Sequence, residues 1–295
     1  MKRSEIIAIT CMVIGLSSCN KEEIGIKTYE EIKFSASYNP EVQTKASVPF
    51  TSGYKATIIG YVAGTSPSSA TPVAGTPQEA TAGAGGALTP ANPVYLPKGS
   101  YDFYSVSQNS STPAGLTFTS GLSEQLTNQK DYLWAKHSSV SEGGVVTFGY
   151  NHKAVGVEIN ISAGTGVSSM SVTSIKFTPT KPDASSKLNL STGVIAAASD
   201  KDVLTSMSLS SSKGTYIMLP MVSKALGIEV TVNATIGGTT VTGKVYTGTI
   251  PERAYVSGTY YTINLTITAT SMSFTGSTVE DWISQSISGV TLTEQ

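Results

Sequence analysis

Cysteine and histidine are nearly absent from this sequence, with two of each among 295 residues. Cys11 lies in an N-terminal segment that we expect to be cleaved off, and Cys19 is expected to carry a lipid. The mature chain should therefore contain neither a free thiol nor a disulfide. His137 and His152 do not stand in an HExxH motif or at another spacing that places two imidazoles on one metal ion. The sequence predicts a chain that is stabilised by packing and that binds no metal and no cofactor.

Charge of either sign is also scarce, with 19 basic and 20 acidic residues. This balance gives no basic surface for nucleic acid. No serine occupies a Gly-x-Ser-x-Gly elbow, and no glycine-rich phosphate loop follows a predicted strand. The carboxylates of Asp183, Glu280 and Asp281 stand in no catalytic pattern. The sequence therefore predicts no enzyme and no nucleic-acid partner.

A long hydrophobic run is missing as well. The apolar segment 6–16 is shorter than the roughly 20 residues that a membrane-spanning helix needs. Lys2 and Arg3 precede it, and two serines and Cys19 follow it, which is typical of a bacterial lipoprotein signal peptide. We predict that residues 1–18 are removed and that acylated Cys19 becomes the first residue. The alternative is an ordinary cysteine near a standard cleavage site.

The charged tetrapeptide 20–23 directly follows Cys19. It resembles the signal that sends Bacteroidetes lipoproteins to the outer face of the outer membrane. A solvated linker without an address is the alternative. The sequence favours display on the cell surface, held in the outer membrane through the lipid on Cys19.

No long stretch shows the 3.6-residue apolar repeat of a helix. Alternating apolar and polar residues instead mark three clear strands at 155–161, 228–232 and 261–267. Weaker alternation predicts seven more strands, at 32–37, 54–63, 101–107, 145–150, 172–177, 216–219 and 239–246. Gly237 and Gly238 lie between two of these strands and predict a two-residue hairpin turn. The predicted fold class is all-β, with antiparallel sheets packed as sandwiches.

Two regions lack strand patterns. Residues 64–93 are rich in Ala, Gly, Thr, Ser and Pro, and this composition predicts a long exposed loop. Residues 109–130 are irregular, and Leu122, Leu126 and Tyr132 indicate a short helix there.

The chain is long enough for two domains, each with its own core. We place the join at residues 150–153, just before the most regular predicted strand. This divides the chain into an N-terminal β-sandwich domain at 46–151 and a C-terminal β-sandwich domain at 152–295.

Aromatic side chains allow two interpretations. Trp134 and Trp282 could stack on sugar rings of a glycan, or they could fill the core and guard sheet edges. The second role is the more common one in β-rich proteins, and we favour it.

The order of several short motifs carries a resemblance that none of them carries alone. In chain order they are Ile32-Lys33-Phe34-Ser35-Ala36, Gln43-Thr44-Lys45-Ala46, Phe50-Thr51-Ser52-Gly53, Val94-Tyr95, Tyr101-Asp102-Phe103-Tyr104, Lys130-Asp131-Tyr132-Leu133-Trp134-Ala135, Phe148-Gly149-Tyr150-Asn151-His152-Lys153, Tyr260-Tyr261-Thr262-Ile263-Asn264-Leu265 and Asp281-Trp282. With the lipoprotein signal before it, this series resembles the fimbrillin-like (Mfa-like) lipoproteins of Bacteroidales, the subunits of type V pili. The resemblance covers nearly the whole chain.

The resemblance implies two transthyretin-like β-sandwich domains in tandem and a removable first strand within a lipidated arm at residues 19–45. A trypsin-like protease would cut between Lys45 and Ala46 and so release the strand. Its inward-facing residues would be Ile32, Phe34 and Ala36. The family more often has arginine where Lys45 stands, so an arginine-only protease does not fit. An exposed loop lysine without this role is the alternative.

In such a pilus, a C-terminal strand of another subunit fills the opened groove. The donor segment here would lie within residues 271–295. Two short alternating runs, Met272 with Phe274 and Val290 with Leu292, are the candidates. They could equally be the last strands of the second domain's own sheet.

The implied function is that of a structural or adhesive subunit of a surface fimbrium, as a stalk, tip or anchor. Its partners would be other pilin subunits and a receptor on a host or bacterial surface. The rival interpretation is a monomeric surface lipoprotein that binds glycans or host proteins.

Overall fold

A computed structural model describes residues 29–39, 48–268, 272–276, 279–281 and 291–294, with side chains for the first two ranges. In these residues the fold is all-β, as predicted. The described chain contains no α-helix, and a single 3₁₀ turn lies at Ala84–Gly86. No helix in these ranges is long and apolar enough to cross a membrane.

Eleven strands lie in the described chain up to residue 152. They are β1 (Tyr29–Tyr38), β2 (Val48–Pro49), β3 (Lys55–Val62), β4 (Gln78–Ala82), β5 (Ala87–Pro90), β6 (Val94–Pro97), β7 (Ser100–Ser107), β8 (Phe118–Thr119), β9 (Leu122–Ser123), β10 (Leu133–Ser141) and β11 (Val145–His152).

Eleven more lie in the described residues from 155 onward. They are β12 (Val155–Ala163), β13 (Val167–Phe177), β14 (Thr205–Ser206), β15 (Ser208–Ser210), β16 (Lys213–Met218), β17 (Met221–Ile236), β18 (Thr239–Tyr255), β19 (Thr259–Ile267), β20 (Met272–Gly276), β21 (Val279–Asp281) and β22 (Thr291–Glu294).

The first sheet closes on itself. Its strands follow the order β11, β10, β7, β3, β4, β5 and β1, and β1 then pairs with β11. This last pairing is parallel and runs in register from Lys33 opposite Val145 to Tyr38 opposite Tyr150. We expected separate antiparallel sheets here, but hydrogen bonds continue around the ring because β1 joins its two ends. A sheet closed in this way has no free edges.

The interior of this ring holds a core rich in aromatic residues. Alternation along each strand turns every second side chain inward. The members with the largest side chains are Phe34, Phe50, Tyr101, Phe103, Phe148 and Tyr150. Small alanines, including Ala56, Ala80 and Ala82, are buried in the same core. Large and small residues therefore complement one another across the core.

The second sheet is an open path with the order β14, β13, β17, β18, β22, β20, β19, β12, β16 and β15. Buried residues of β12, β13, β17, β18 and β19 share one hydrophobic cluster, among them Ile159, Phe177, Val230 and Ile263. β12 runs parallel to β19, with Gly156 opposite Tyr260. The most regular strand of the sequence thus lies inside this sheet, between β19 and β16.

A third buried cluster joins the two halves of the chain. It contains Tyr61 and Tyr104 from the first sheet and Leu126, Tyr132 and Leu190 from irregular segments. Residues 109–130 form no helix, so that prediction was wrong. Leu122 instead belongs to β9, while Leu126 and Tyr132 are buried in this cluster because their segment lies against the outer face of the ring.

The prediction of a long exposed loop at residues 64–93 was also wrong. The tract contains β4 and β5, which lie between β3 and β1 in the ring. Ala80, Ala82 and Leu88 are buried there. The tract looks too polar to pack, but its alanines supply the small side chains that fit against the large aromatic core.

The ten predicted strands are confirmed, several of them with longer limits than predicted. Gly237 and Gly238 both have positive φ, at 56° and 83°, and join β17 to β18 as predicted. The sheet changes between His152 and Val155. The domain limits 46–151 and 152–295 remain predictions.

Candidate functional site

The candidate site is the groove in the first sheet that the first strand, β1, occupies, and we call this groove the seat of β1. One edge of β1 pairs with β11, and its other edge pairs with β6, β5 and β2 in turn. Ile32, Phe34 and Ala36 are 2%, 5% and 3% exposed, whereas Lys33 between them is exposed. The side chains of β1 that face inward are therefore the three that were expected to do so. They complete the core of the ring.

Phe34 occupies the centre of this seat. On the flanking strands it stands opposite Leu88 and Val146. Its ring meets the Phe103 ring edge to face, with centroids 5.3 Å apart, and lies parallel to the Phe148 ring at 6.3 Å. Aromatic contacts of this kind add to the free energy of burial itself. Phe34 is thus the main apolar anchor of β1.

Around Ala36 the backbone of β1 is closely surrounded. The Ala36 carbonyl oxygen accepts a hydrogen bond of 3.0 Å from the backbone N–H of Phe50. Gly86, with φ of 80°, lies so near that a Cβ on it would overlap the same oxygen. A glycine is required at residue 86 both for its φ and for this close approach.

The last residue of β1, Tyr38, enters a polar pocket. The Tyr38 ring stacks on the His152 ring at 6.2 Å and meets the Phe50 ring edge to face at 5.7 Å. The Tyr38 hydroxyl lies 2.7 Å from Asn109 Oδ1 and 3.1 Å from Thr51 Oγ1. We call these four neighbours, together with Asp131, the Tyr38 pocket.

Asp131 fixes the direction of the hydrogen bonds described here, because a carboxylate only accepts. Asn109 Nδ2 donates to Asp131 Oδ2 over 2.8 Å, and His152 Nδ1 donates to Asp131 Oδ1 over 2.8 Å. The amide oxygen of Asn109 must therefore face Tyr38, whose hydroxyl donates to it. Since that proton is then used, the Thr51 hydroxyl donates to the Tyr38 oxygen. Burial raises the pKa of Tyr38, so the phenol keeps its proton.

The segment after β1 leads to the predicted cleavage point. Lys45 and Ala46 lie outside the described residues, as does Cys19. The described chain resumes at β2, where Val48 stands opposite Tyr38. The predicted cut therefore lies on the chain between β1 and the strand that next pairs with it.

The predicted donor residues lie at the other end of the chain. Met272 and Phe274 are in β20, and Leu292 is in β22, while Val290 lies outside the described residues. β20 pairs with β19 and β22 pairs with both β18 and β20. In this structure these strands belong to the chain's own second sheet, so a donor role stays a prediction.

Trp134, the candidate residue for stacking on sugar rings, makes contacts within the protein itself. Its Nε1 donates to the Leu190 carbonyl over 2.8 Å, and Lys153 Nζ lies 5.0 Å from the ring centroid. Gly193 packs so closely that a Cβ on it would overlap the ring. Trp282 lies outside the described residues.

The histidines have structural partners. His137 Nδ1 contacts the backbone of Thr147, and His152 pairs with Asp131. Within the described ranges, no group of three or more His, Cys, Asp and Glu residues could hold a metal ion.

Sequence reasoning missed the Tyr38 pocket. The predicted strand ended at residue 37, although Tyr38 continues the alternation of Ile32, Phe34 and Ala36. Asn109 lies in a region without a recognisable pattern, and the motif that contains Asp131 gave no sign of a pocket. Only the continued alternation at Tyr38 was available as a signal.

The comparisons with known proteins agree with this architecture. The fimbrillin-like family model matches residues 43–282. No curated protein matches the sequence. Among solved structures, a candidate cell adhesion protein from Bacteroides uniformis is 17% identical, with a TM-score of 0.61 and coverage of 86% of this chain and 98% of that one.

Two further structures of candidate cell adhesion proteins are similar. One from Bacteroides ovatus is 19% identical, with a TM-score of 0.61 and coverage of 88% of this chain and 99% of that one. One from Bacteroides fragilis is 12% identical, with a TM-score of 0.54 and coverage of 89% and 98% respectively. At these identities the likeness shows a shared fold.

Proposed function

The chain belongs to the fimbrillin-like family, and from this membership we propose that it is a structural or adhesive subunit of a cell-surface fimbrium, a type V pilus. Other pilin subunits are its partners in this proposal. Membership also agrees with the prediction that the chain is not an enzyme. The candidate cell adhesion proteins of the same fold support the adhesive part of the proposal.

We propose that subunits join by donor-strand exchange, and the seat of β1 is the observation that carries this. β1 closes the ring between β11 on one edge and β5 and β6 on the other. Its removal would leave two unpaired strand edges and an apolar groove where Ile32, Phe34 and Ala36 had been. An extended strand of a second subunit would restore both the hydrogen bonds and the core.

The finer description of the fold is part of this proposal. We propose two transthyretin-like sandwiches in tandem, one at residues 46–151 that is completed by β1 of the arm and one at residues 152–295. The support is a feature that both sheets share, since an early strand runs parallel to a later one in each. Lys33 stands opposite Val145 in the first, and Gly156 stands opposite Tyr260 in the second.

Export and processing complete the proposal. Cys19 carries the lipid that holds the precursor in the outer membrane, and a trypsin-like protease cuts after Lys45. The position of Lys45, between β1 and β2, supports this, because a cut there leaves β1 held only by non-covalent contacts. An anchor subunit would keep β1 and its lipid.

Trp134 argues against the rival function, a monomeric lipoprotein that binds glycans. Its indole N–H already donates to Leu190 and its ring is packed against Lys153 and Gly193. Glycan binding that disappears in Trp134→Ala or Trp282→Ala variants that still fold would establish the rival.

The proposal is tested with a precursor that starts at residue 20. The purified protein is treated with trypsin, and its mass and oligomeric state are followed. Loss of residues up to Lys45 together with laddered polymers is the expected result. A stable, uncut monomer would overturn the proposed processing and strand exchange.

A further inference from the structure

The side-chain hydrogen bonds that hold β1 are unevenly distributed. Among the described residues they gather at the C-terminal end of the strand, at Ser35, Tyr38 and Asn39. Asn39 donates through Nδ2 to Asn151 Oδ1 over 2.9 Å, and its backbone N–H donates to the Tyr150 carbonyl over 3.0 Å. The end nearest to the proposed cut is therefore the end that is held most firmly.

The opposite end of β1 is more accessible. Tyr29, Glu30 and Glu31 are exposed, and among the strands of the described residues their backbone pairs only with β6. The parallel pairing with β11 begins at Lys33. A strand held in this way separates first at Tyr29 and last at Tyr38.

The Tyr38 pocket is also selective for its occupant. It offers one hydrogen-bond acceptor, Asn109 Oδ1, at the far end of a slot between aromatic rings. Asp131 holds that acceptor in place. An aromatic ring that ends in a hydroxyl fits this arrangement. Phenylalanine would leave the acceptor unpaired, and a short hydroxyl side chain would leave the slot empty.

The segment proposed as the donor contains no such residue. Residues 262–295 include no tyrosine, whereas β1 places Tyr38 in the pocket. A donor strand from a second copy of this chain would therefore fill the apolar groove without satisfying the pocket.

We propose that the Tyr38 pocket retains β1 after the chain behind it has been cut, so that cleavage and strand release are separate steps. The pocket is a binding site for a tyrosine side chain at the end of an extended strand. An entering strand displaces β1 from the Tyr29 end and removes Tyr38 last. This inference rests on the proposed removal of β1.

The test measures release of the first strand directly. A recognition sequence for a site-specific protease is placed within residues 40–47 of the full precursor, so that cleavage is complete whatever trypsin does. The cut protein is mixed with excess synthetic peptide 29–39 to prevent rebinding. Release of the N-terminal fragment is then followed by gel filtration and mass spectrometry.

Wild-type fragment should stay bound through gel filtration, and Tyr38→Phe should release it about ten-fold faster, because the half-buried Asn109 oxygen loses its hydrogen-bond partner on β1. The control is Tyr29→Phe, since Tyr29 lies on the same strand but is 56% exposed. Its release rate should match wild type. Asn109→Ala combined with Tyr38→Phe should release no faster than the faster single variant, because both changes remove the same hydrogen bond.

Equal release rates for Tyr38→Phe and wild type would overturn the inference, as would complete loss of the wild-type fragment before the first measurement. A second measurement guards against misfolding of the variant. After the cut wild-type protein has been separated from its own fragment, peptide 29–39 carrying Tyr38→Phe should bind it about ten-fold more weakly than the native peptide, and equal binding would count against the pocket. If retention of the fragment depends on Tyr38 but no polymers form, the inference stands and the proposed function is overturned. If polymers form but the rate of fragment release does not depend on Tyr38, the proposed function stands and the inference is overturned.

Discussion

The ring of Phe34 in β1 meets the ring of Phe103 in β7 edge to face, across the interior of the closed sheet. The two strands are not neighbours in the ring, so this contact ties the first strand to the opposite wall. Phe34 is thus the largest of the three buried side chains that β1 adds to the core.

Replacing Phe34 by alanine should lower the free energy of unfolding of the precursor by about 3 to 5 kcal/mol, because it removes buried surface and leaves a cavity. Denaturant titration measures this loss. Lys33→Ala is the matched control, since Lys33 is the next residue on β1 and its side chain is exposed. A loss for Phe34→Ala no larger than that for Lys33→Ala would contradict the packing described for the groove.

Gly86→Ala should destabilise the protein more than Gly53→Ala does. Both glycines have positive φ, at 80° and 84°, so both variants carry the left-handed penalty of about 1 to 2 kcal/mol. Only the alanine at residue 86 would also meet the Ala36 carbonyl, whereas nothing lies within 4 Å of a Cβ at Gly53. The difference should be about 1 to 3 kcal/mol in thermal or denaturant unfolding. Equal losses of stability in the two variants would contradict this expectation, since the backbone near Ala36 would then move to accommodate the added Cβ.

Lys45→Ala should prevent trypsin from removing the N-terminal segment of the folded precursor. Lys98→Ala is the control, because Lys98 is an exposed lysine in the connection between β6 and β7. Mass spectrometry of the digested proteins should give the shortened chain for wild type and Lys98→Ala but not for Lys45→Ala. If Lys45→Ala is still shortened and still polymerises, the processing site lies elsewhere.

Acid should weaken the second sheet through Glu158 on β12. Burial raises the pKa of Glu158, but hydrogen bonds from Lys213, Asn160 and Tyr260 outweigh it and leave the pKa below its ordinary value. The folded state therefore favours the ionised carboxylate. The stability gained is present above the unfolded pKa of about 4.3 and is lost as the pH falls through the lower folded value.

Glu158→Gln should accordingly flatten the acid side of the stability curve below about pH 4.3. Urea unfolding at several pH values measures the slope. Glu124→Gln, at an exposed glutamate, serves as the control and should keep the wild-type slope. An unchanged slope in Glu158→Gln would mean that its three hydrogen bonds do not persist in solution.

Alkaline pH should weaken the second sheet through Tyr260 on β19. Burial and the neighbouring Glu158 raise its pKa to about 12. The neutral phenol is thus favoured by folding, and this contribution is present below the unfolded pKa of about 10 and is lost as the pH rises toward 12. Tyr260→Phe should remove this loss from alkaline unfolding curves, while Tyr95→Phe, at an exposed tyrosine of β6, should not.

Strand positions could be predicted from the sequence because burial on one face imposes a period of two on the residues. Ile32, Phe34 and Ala36 were identified in this way. The strands in the tract at 64–93 were not recognised, since alanine and glycine carry little apolar signal. Ala80 and Ala82 are nevertheless part of the core. Composition alone does not report that a small residue faces a large one.

The Tyr38 pocket was beyond sequence reasoning for a different reason. Tyr38 and Asn109 are 71 residues apart, and Asn109 and Asp131 are a further 22 apart. No local pattern links residues over such distances, because only the closed ring brings them together. The closing pair β1 and β11 was likewise not predicted.

The parallel pair of β1 and β11 also sets an order of events in folding. Ser35 and Thr147 touch although 112 residues separate them. β1 is synthesised before β11, so the edge of β1 that faces β11 stays unpaired until β11 has been made. Loop-closure entropy further delays contacts at such separations. We therefore expect the edge of β1 that faces β11 to pair after its other edge, which meets β5 and β6 earlier in the chain, so that the ring closes at this parallel pair.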